Sequence, residues 1–170
     1  MFLYLAHLLS VCALVQQDGG DEDEAIAALL HDALEDKPEE TNRNEILELF
    51  GEQVLTIIES SIDTPPSYEG GVKPPWRKRE QEYLAHIRAI NPNLLRVTIA
   101  DKVDNARAIL ADYQRLGDDV WKRFNAGKED QLWYYKNCVS AYETAGYRGP
   151  LLDELRRLVT QIRARANDKG

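Results

Sequence analysis

Apolar residues in this chain return every three or four positions, and that period is the strongest constraint on what it can fold into. Leu5, Leu8, Leu9, Cys12 and Val15 make one such series; Leu94, Leu95, Val97, Ile99, Ala100, Val103, Ala106 and Ile109 make another. Those steps cover one side of a helix, whereas a half-buried strand needs alternation with a period of two. Turn residues fall between the series: Asp18-Gly19-Gly20, Lys37-Pro38, Gly51, Asn91-Pro92-Asn93 and Pro150. The expected fold class is all-α. The 170 residues suit one domain, 1–170, with a sizeable core.

The helices are expected over 2–17, then from the acids Asp21-Glu22-Asp23-Glu24 through to Asp36. Thr41-Asn42 caps a short helix carrying Ile46, Leu47, Leu49 and Phe50, Gly51 turns the chain, and another helix covers 52–62. Residues 63–75, with four prolines and two adjacent glycines, are the one long irregular segment. Further helices are expected over 80–90, 94–110, 118–124 and 128–143. A last one starts at Pro150, with a mixed-charge, solvent-facing tail from Arg156 to Lys169.

The net charge of −8 argues against a general nucleic-acid binder, but a bound metal and local Lys and Arg residues can still hold a small anion. Cys12 and Cys138 lie in apolar helical patterns and read as buried thiols, not a disulfide. The apolar start, Met1 to Val15, has no Lys or Arg before Lys37 and is too short to span a bilayer. It reads as a core helix of a cytoplasmic protein with no membrane partner. Internal repeats, a glycine-rich phosphate loop, a GxSxG elbow and a Cys-x-x-Cys pair are all missing from the sequence.

Chemistry concentrates in Ala27-Ala28-Leu29-Leu30-His31-Asp32-Ala33-Leu34-Glu35-Asp36. On one continuous helix, His31 and Asp32 would lie about 100° apart, with Glu35 four after His31 and Asp36 four after Asp32. An imidazole and a carboxylate can ligate a divalent cation, and two further acids one turn away can handle a water. Acids at a helix C-terminus oppose its dipole unless a cation compensates. Asp101, in a strongly apolar helix, is costly without a partner and reads as a ligand; Asn105 shares its face. His7 reads from its surroundings as a hydrogen-bonded core histidine. Arg77-Lys78-Arg79, after Trp76, is a positive patch that reads as a phosphate-binding group or as a solvated helix start.

The order His7, His31-Asp32, Asp101 resembles the H…HD…D signature of the HD-domain metal-dependent phosphohydrolases. Within them it is most similar to the (p)ppGpp hydrolase branch, the RelA/SpoT hydrolase domains and the small stand-alone alarmone hydrolases. Tyr4-Leu5-Ala6-His7 resembles the family's Tyr-x-x-His helix, and residues 27–36 its ALLHD-x-x-ED block. Phe50-Gly51-Glu52-Gln53-Val54 resembles its FG-x-x-V turn, and Ile99-Ala100-Asp101-Lys102-Val103-Asp104-Asn105 its LADK-x-x-N helix. The resemblance covers about residues 4–145. It implies an HD-domain helical bundle with one divalent metal, typically Mn²⁺, on His7, His31, Asp32 and Asp101. Glu35 and Asp36 are then the acids that position or deprotonate the attacking water. Asn105 contacts the ribose of a nucleotide, and Arg77, Lys78 or Arg79 neutralises its pyrophosphate. The family carries an Arg-containing helix ahead of the Tyr-x-x-His block, where six residues precede His7 here; a neighbouring subunit of a homo-oligomer filling that gap, a different start and a different substrate are the alternatives. Lys37 stands for the usual Thr, and Val103-Asp104 for the usual Leu-His or Leu-Tyr.

Overall fold

A computed structural model describes residues 4–36, 41–62 and 74–167. The expected break at Lys37-Pro38-Glu39-Glu40 and most of the proline-rich segment, 63–73, lie outside the described residues. Eight α-helices are described: α1 (Tyr4–Gln17), α2 (Glu22–Leu30), α3 (Ala33–Asp36), α4 (Arg43–Ser61), α5 (Trp76–Ala89), α6 (Arg96–Leu116), α7 (Lys128–Ala145) and α8 (Pro150–Asn167). Short 3-10 turns cover Pro92–Leu94 and Gly117–Arg123. No strand occurs among the described residues, so the all-α expectation holds.

α6 is the axis of the bundle. It packs on α8, α1 and the second 3-10 turn, and touches α2 and α4. Its Val97, Ile99, Ala100, Val103 and Ala106 are wholly buried, and each large apolar side chain removed from water contributes about 1.5–3 kcal/mol. Around that axis α1 pairs with α2, α2 with α4, and α5 with α7. The chain is punctuated as its caps require. Asp21 accepts from the backbone N–H of Glu24 while the Glu24 side chain accepts from that of Asp21, a reciprocal capping box. Asn42 caps α4 by accepting from Glu45 N. Gly51, at φ 87°, kinks α4 into the two helical runs expected on either side of it.

Three local expectations are corrected by packing. The helix expected to run through to Asp36 stops at Leu30; His31 and Asp32 form a turn, and Glu35 and Asp36 belong to the separate α3. On α1, Leu5 and Leu9 are 66% and 55% exposed, while His7, Leu8, Val11, Leu14 and Val15 are buried. α1 carries two apolar stripes, and the one that includes His7 faces its neighbours. The C-terminal tail is not simply a solvated strip either: Val159, Ile162 and Ala166 are buried as α8 lies along α6 and α7. Cys138 is buried, Cys12 half-buried, and both are free thiols. No described helix is long and apolar enough to cross a membrane.

Candidate metal centre

Each histidine reaches the centre from a different element and is oriented by a different device. His31 ends α2, and its Nδ1 donates to the carbonyl of Ala28 at 2.8 Å. A carbonyl only accepts, so Nδ1 carries a proton and Nε2 is the nitrogen left to face the centre. That Nε2 is buried and makes no hydrogen bond. It lies 3.3 Å from Asp32 Oδ1 and 3.9 Å from Asp101 Oδ1. With Nδ1 committed to the carbonyl, Nε2 is the ring atom that can meet a cation held between the two carboxylates.

His7 comes from α1 and meets the His31 ring edge-on, with 5.4 Å between centroids. Its Nε2 is 3.2 Å from Asp101 Oδ1, and its Nδ1 is 2.7 Å from Asp104 Oδ2. Burial alone would lower the proton affinity of His7, but the bonds and charges of Asp101 and Asp104 outweigh it and raise the pKa to about 9. His7, His31 and Asp32 each offer a ligand atom, and these atoms lie within 4.8 Å of one another. They can hold a divalent metal. His7 and His31 are buried while the Asp32 side chain remains about one-third exposed, so the group opens to solvent on the Asp32 side.

Asp101, from the middle of α6, is not one of those three, but its Oδ1 stands beside both histidines, 3.2 Å from His7 and 3.9 Å from His31. Asn105 donates to its Oδ1 at 2.5 Å, and the Lys102 ammonium pairs with its Oδ2 at 2.7 Å. Burial opposes the Asp101 charge, yet Lys102 and the two histidines hold its carboxyl far below the usual range. Lys102 itself lies over the rings of Tyr83 and Tyr134, at 5.4 and 6.0 Å.

The remaining expected site residues are spread over three elements. Glu35 is half-buried on α3, its backbone N–H donating to Asp32 O at 3.1 Å; the Asp36 side chain lies outside the described residues. Arg77 pairs with Asp130 and stacks on Trp133, 3.4 Å from the ring centroid. Lys78 is exposed and reaches Glu82 at 3.9 Å. Arg79 differs from both, because its Nε is buried without a hydrogen bond. Asn105 also lines a cavity of about 240 Å³ with Ala108, Ile109, Val120, Phe124 and Tyr135, together with Asp112 and Arg123.

Residues 3–132 match a family model described as an HD domain. The chain belongs to the HD-domain family. The helical bundle implied by the signature is therefore the HD bundle, and an HD domain implies dependence on a divalent metal, which His7, His31 and Asp32 could hold. The chain is 34% identical over 122 residues to the Xenopus tropicalis guanosine-3′,5′-bis(diphosphate) 3′-pyrophosphohydrolase MESH1, covering 69% of this chain and 60% of that protein. It is 32% identical over 107 residues to the Aquifex aeolicus (strain VF5) guanosine-3′,5′-bis(diphosphate) 3′-pyrophosphohydrolase, covering 62% of this chain and 14% of that protein. The match thus spans less than two thirds of either relative's length. Among solved structures, lmo0812 of Listeria monocytogenes EGD-e superposes with a TM-score of 0.78 at 28% identity, over 91% of this chain and 96% of that one. A metazoan ortholog of SpoT, described as hydrolysing ppGpp, superposes at 0.69 with 20% identity, over 93% and 80%, and shows the shared fold.

Sequence reasoning missed the residues that orient the ligands. Ala28 holds His31 through its carbonyl, an i−3 bond available to any residue there, so no side-chain signal marks it. Asp104 and Ser10 did leave a signal, a polar residue three after each of Asp101 and His7, but their chemistry becomes visible only when α1 meets α6.

Proposed function

We propose that this chain is a divalent-metal-dependent phosphohydrolase that removes the 3′-pyrophosphate of (p)ppGpp, giving GDP or GTP and pyrophosphate. The observation that carries the metal chemistry is the buried, unbonded His31 Nε2 beside Asp32 and Asp101. The substrate is taken from the two relatives named as guanosine-3′,5′-bis(diphosphate) 3′-pyrophosphohydrolases. In this reading residues 1–170 form a single hydrolase domain. His7, His31, Asp32 and Asp101 hold the metal, Mn²⁺ being the ion chosen. Bound there, the ion lowers the pKa of a water and offsets the charge that builds on phosphorus.

The chain's own groups do the rest. Glu35 and Asp36, on the short helix after the His31-Asp32 turn, position the attacking water and take its proton, a role worth roughly 10²–10⁴ in rate. Arg79 is the best-supported anion group of the basic trio. Tyr83 lies one helical turn after it, about 6 Å along α5, and sits under the Lys102 ammonium that pairs with Asp101. Its unbonded Nε is a donor that a phosphate oxygen would satisfy. Arg77 and Lys78 add positive charge at the start of α5, where backbone N–H groups favour anions. Asn105 contacts the ribose, and the aromatic-lined cavity beside it suits a base. The protein acts in the cytoplasm, as an alarmone-removing enzyme of the stringent response, alone or as a homo-oligomer.

Incubating the purified chain with ppGpp and Mn²⁺, and resolving the products by anion-exchange chromatography, tests this directly. GDP and pyrophosphate are expected. Cleavage of another nucleotide but not of ppGpp would keep the metal chemistry and discard the substrate. No turnover of any nucleotide by metal-loaded protein would make the domain a binding module.

A further inference from the structure

Two histidines meet in the centre, and their outer nitrogens are held in unlike ways. The Nδ1 of His31 uses a main-chain carbonyl three residues back on its own helix. The Nδ1 of His7 instead uses the carboxylate of Asp104, a residue of α6, at 2.7 Å. The second oxygen of that carboxylate accepts from the Ser10 hydroxyl. His7 and Ser10 are three apart on α1, and Asp101 and Asp104 three apart on α6. Each pair therefore shares a helix face, and the two faces meet where α1 packs on α6. One seam supplies a histidine, the carboxylate beside its Nε2, and the carboxylate behind its Nδ1.

We infer that Asp104 is a positioning residue of the metal centre: it holds the His7 ring with Nε2 toward the metal, and Ser10 holds Asp104 in turn. The inference rests on the metal-site reading above. A carboxylate behind a ligating imidazole selects its tautomer, orients the ring and makes the ligating nitrogen more basic. A carbonyl can do the first two for His31, but only a charged acceptor does the third fully. Metal affinity in this chain thus depends on one side chain of α6 that is not itself a ligand. The HD signature resemblance places His or Tyr at this position, so the device belongs to this chain's own sequence.

The test uses the full chain stripped of metal and titrated with Mn²⁺, the free ion being read by its electron paramagnetic resonance signal. Asp104→Asn keeps the shape and can still accept from His7, but removes the charge. It is expected to weaken Mn²⁺ binding about tenfold, within the roughly 10–100-fold typical of such partners, while Asp104→Glu recovers part of the loss. A second readout is the ring nitrogen spectrum of the Zn²⁺-loaded protein, legible because the chain has three histidines. His7 is expected to keep its proton on Nδ1 and present Nε2 to the ion. Wild-type affinity in Asp104→Asn, or zinc on Nδ1 of His7, would overturn the inference. If Asp104→Asn does not fold, Ser10→Ala takes its place, with a severalfold loss expected and unchanged affinity counting against it. A wild-type chain that binds no Mn²⁺ fails the metal-site reading instead, and is told apart by that.

Discussion

His31 turns its proton-bearing nitrogen to the carbonyl of Ala28, at 2.8 Å, and leaves its buried Nε2 without a hydrogen bond. Ala28 and His31 stand one turn apart at the end of α2, so the bond is local to that last turn. The bond spends one nitrogen on the backbone and dedicates the other to whatever lies between Asp32 and Asp101.

Asp101 stands 3.2 Å from His7 and 3.9 Å from His31. Asp101→Ala is expected to abolish Mn²⁺ binding and nucleotide hydrolysis together, measured by metal titration and product chromatography on the same sample. A fully active variant would remove Asp101 from the ligand set.

Glu35 follows the His31-Asp32 turn on its own short helix. Glu35→Gln is expected to leave Mn²⁺ affinity within a few-fold of wild type while kcat falls by roughly 10²–10⁴, the range of a lost general base. Loss of the metal in this variant would show that Glu35 is a ligand.

Arg77 and Arg79 are neighbours that should behave differently. Arg79→Met removes a guanidinium whose Nε has no partner, and is expected to raise KM for ppGpp about tenfold or more without changing thermal stability. Arg77→Met loses the Asp130 pair and the Trp133 stack, and is expected to cost about 1 kcal/mol of stability. Steady-state kinetics and thermal unfolding of both variants check the contrast.

The pH dependence of the metal-free protein follows from the seam between α1 and α6. The pKa of His7 is raised from 6.5 to about 9, so its pairing stabilises the fold fully below pH 6.5 and is lost as the pH rises through about 9. Burial opposes the charges of Asp101 and Asp104, but their partners lower both pKa values. Their contribution is therefore present above the ordinary value of 3.8 and lost on acidification. Unfolding midpoints of chelator-treated protein should fall between pH 6.5 and 9. Mn²⁺ must displace the His7 proton, so its affinity should rise over the same window.

Away from the site, Arg96 holds three segments together. Its guanidinium bonds Asp18, at 3.2 Å from Nε, and Glu24, while the Tyr147 hydroxyl donates to Asp18 at 2.6 Å. The Asp18 side chain is 4% exposed. Arg96→Met leaves two largely buried carboxylates without a cation and is expected to cost about 3–5 kcal/mol, roughly 10 °C in Tm for a chain of this size. Mn²⁺ binding by the folded variant should be unchanged.

What the sequence determined by itself was local. Periods of three and four set the helices, Gly51 and Asn42 set a kink and a cap, and the order of His7, His31-Asp32 and Asp101 marked the candidate donors. Each of these depends on covalent spacing along one element, which a chain carries with it whatever its neighbours do. Tertiary structure decided everything that needed a second element. It buried the His7 stripe of α1 and left Leu5 and Leu9 outside, because only one of two apolar stripes can face α2 and α6. It ended α2 at Leu30 and set Glu35 on a separate helix, and it packed the tail of α8. It told Arg79 from Arg77: among the described residues the latter has an acid and an indole, while the former's Nε is buried without a hydrogen bond. Above all, it brought Asp104 to His7 across the seam of α1 and α6: a hydrogen bond between residues far apart in the chain has no periodicity to announce it, and exists only once two helices have packed.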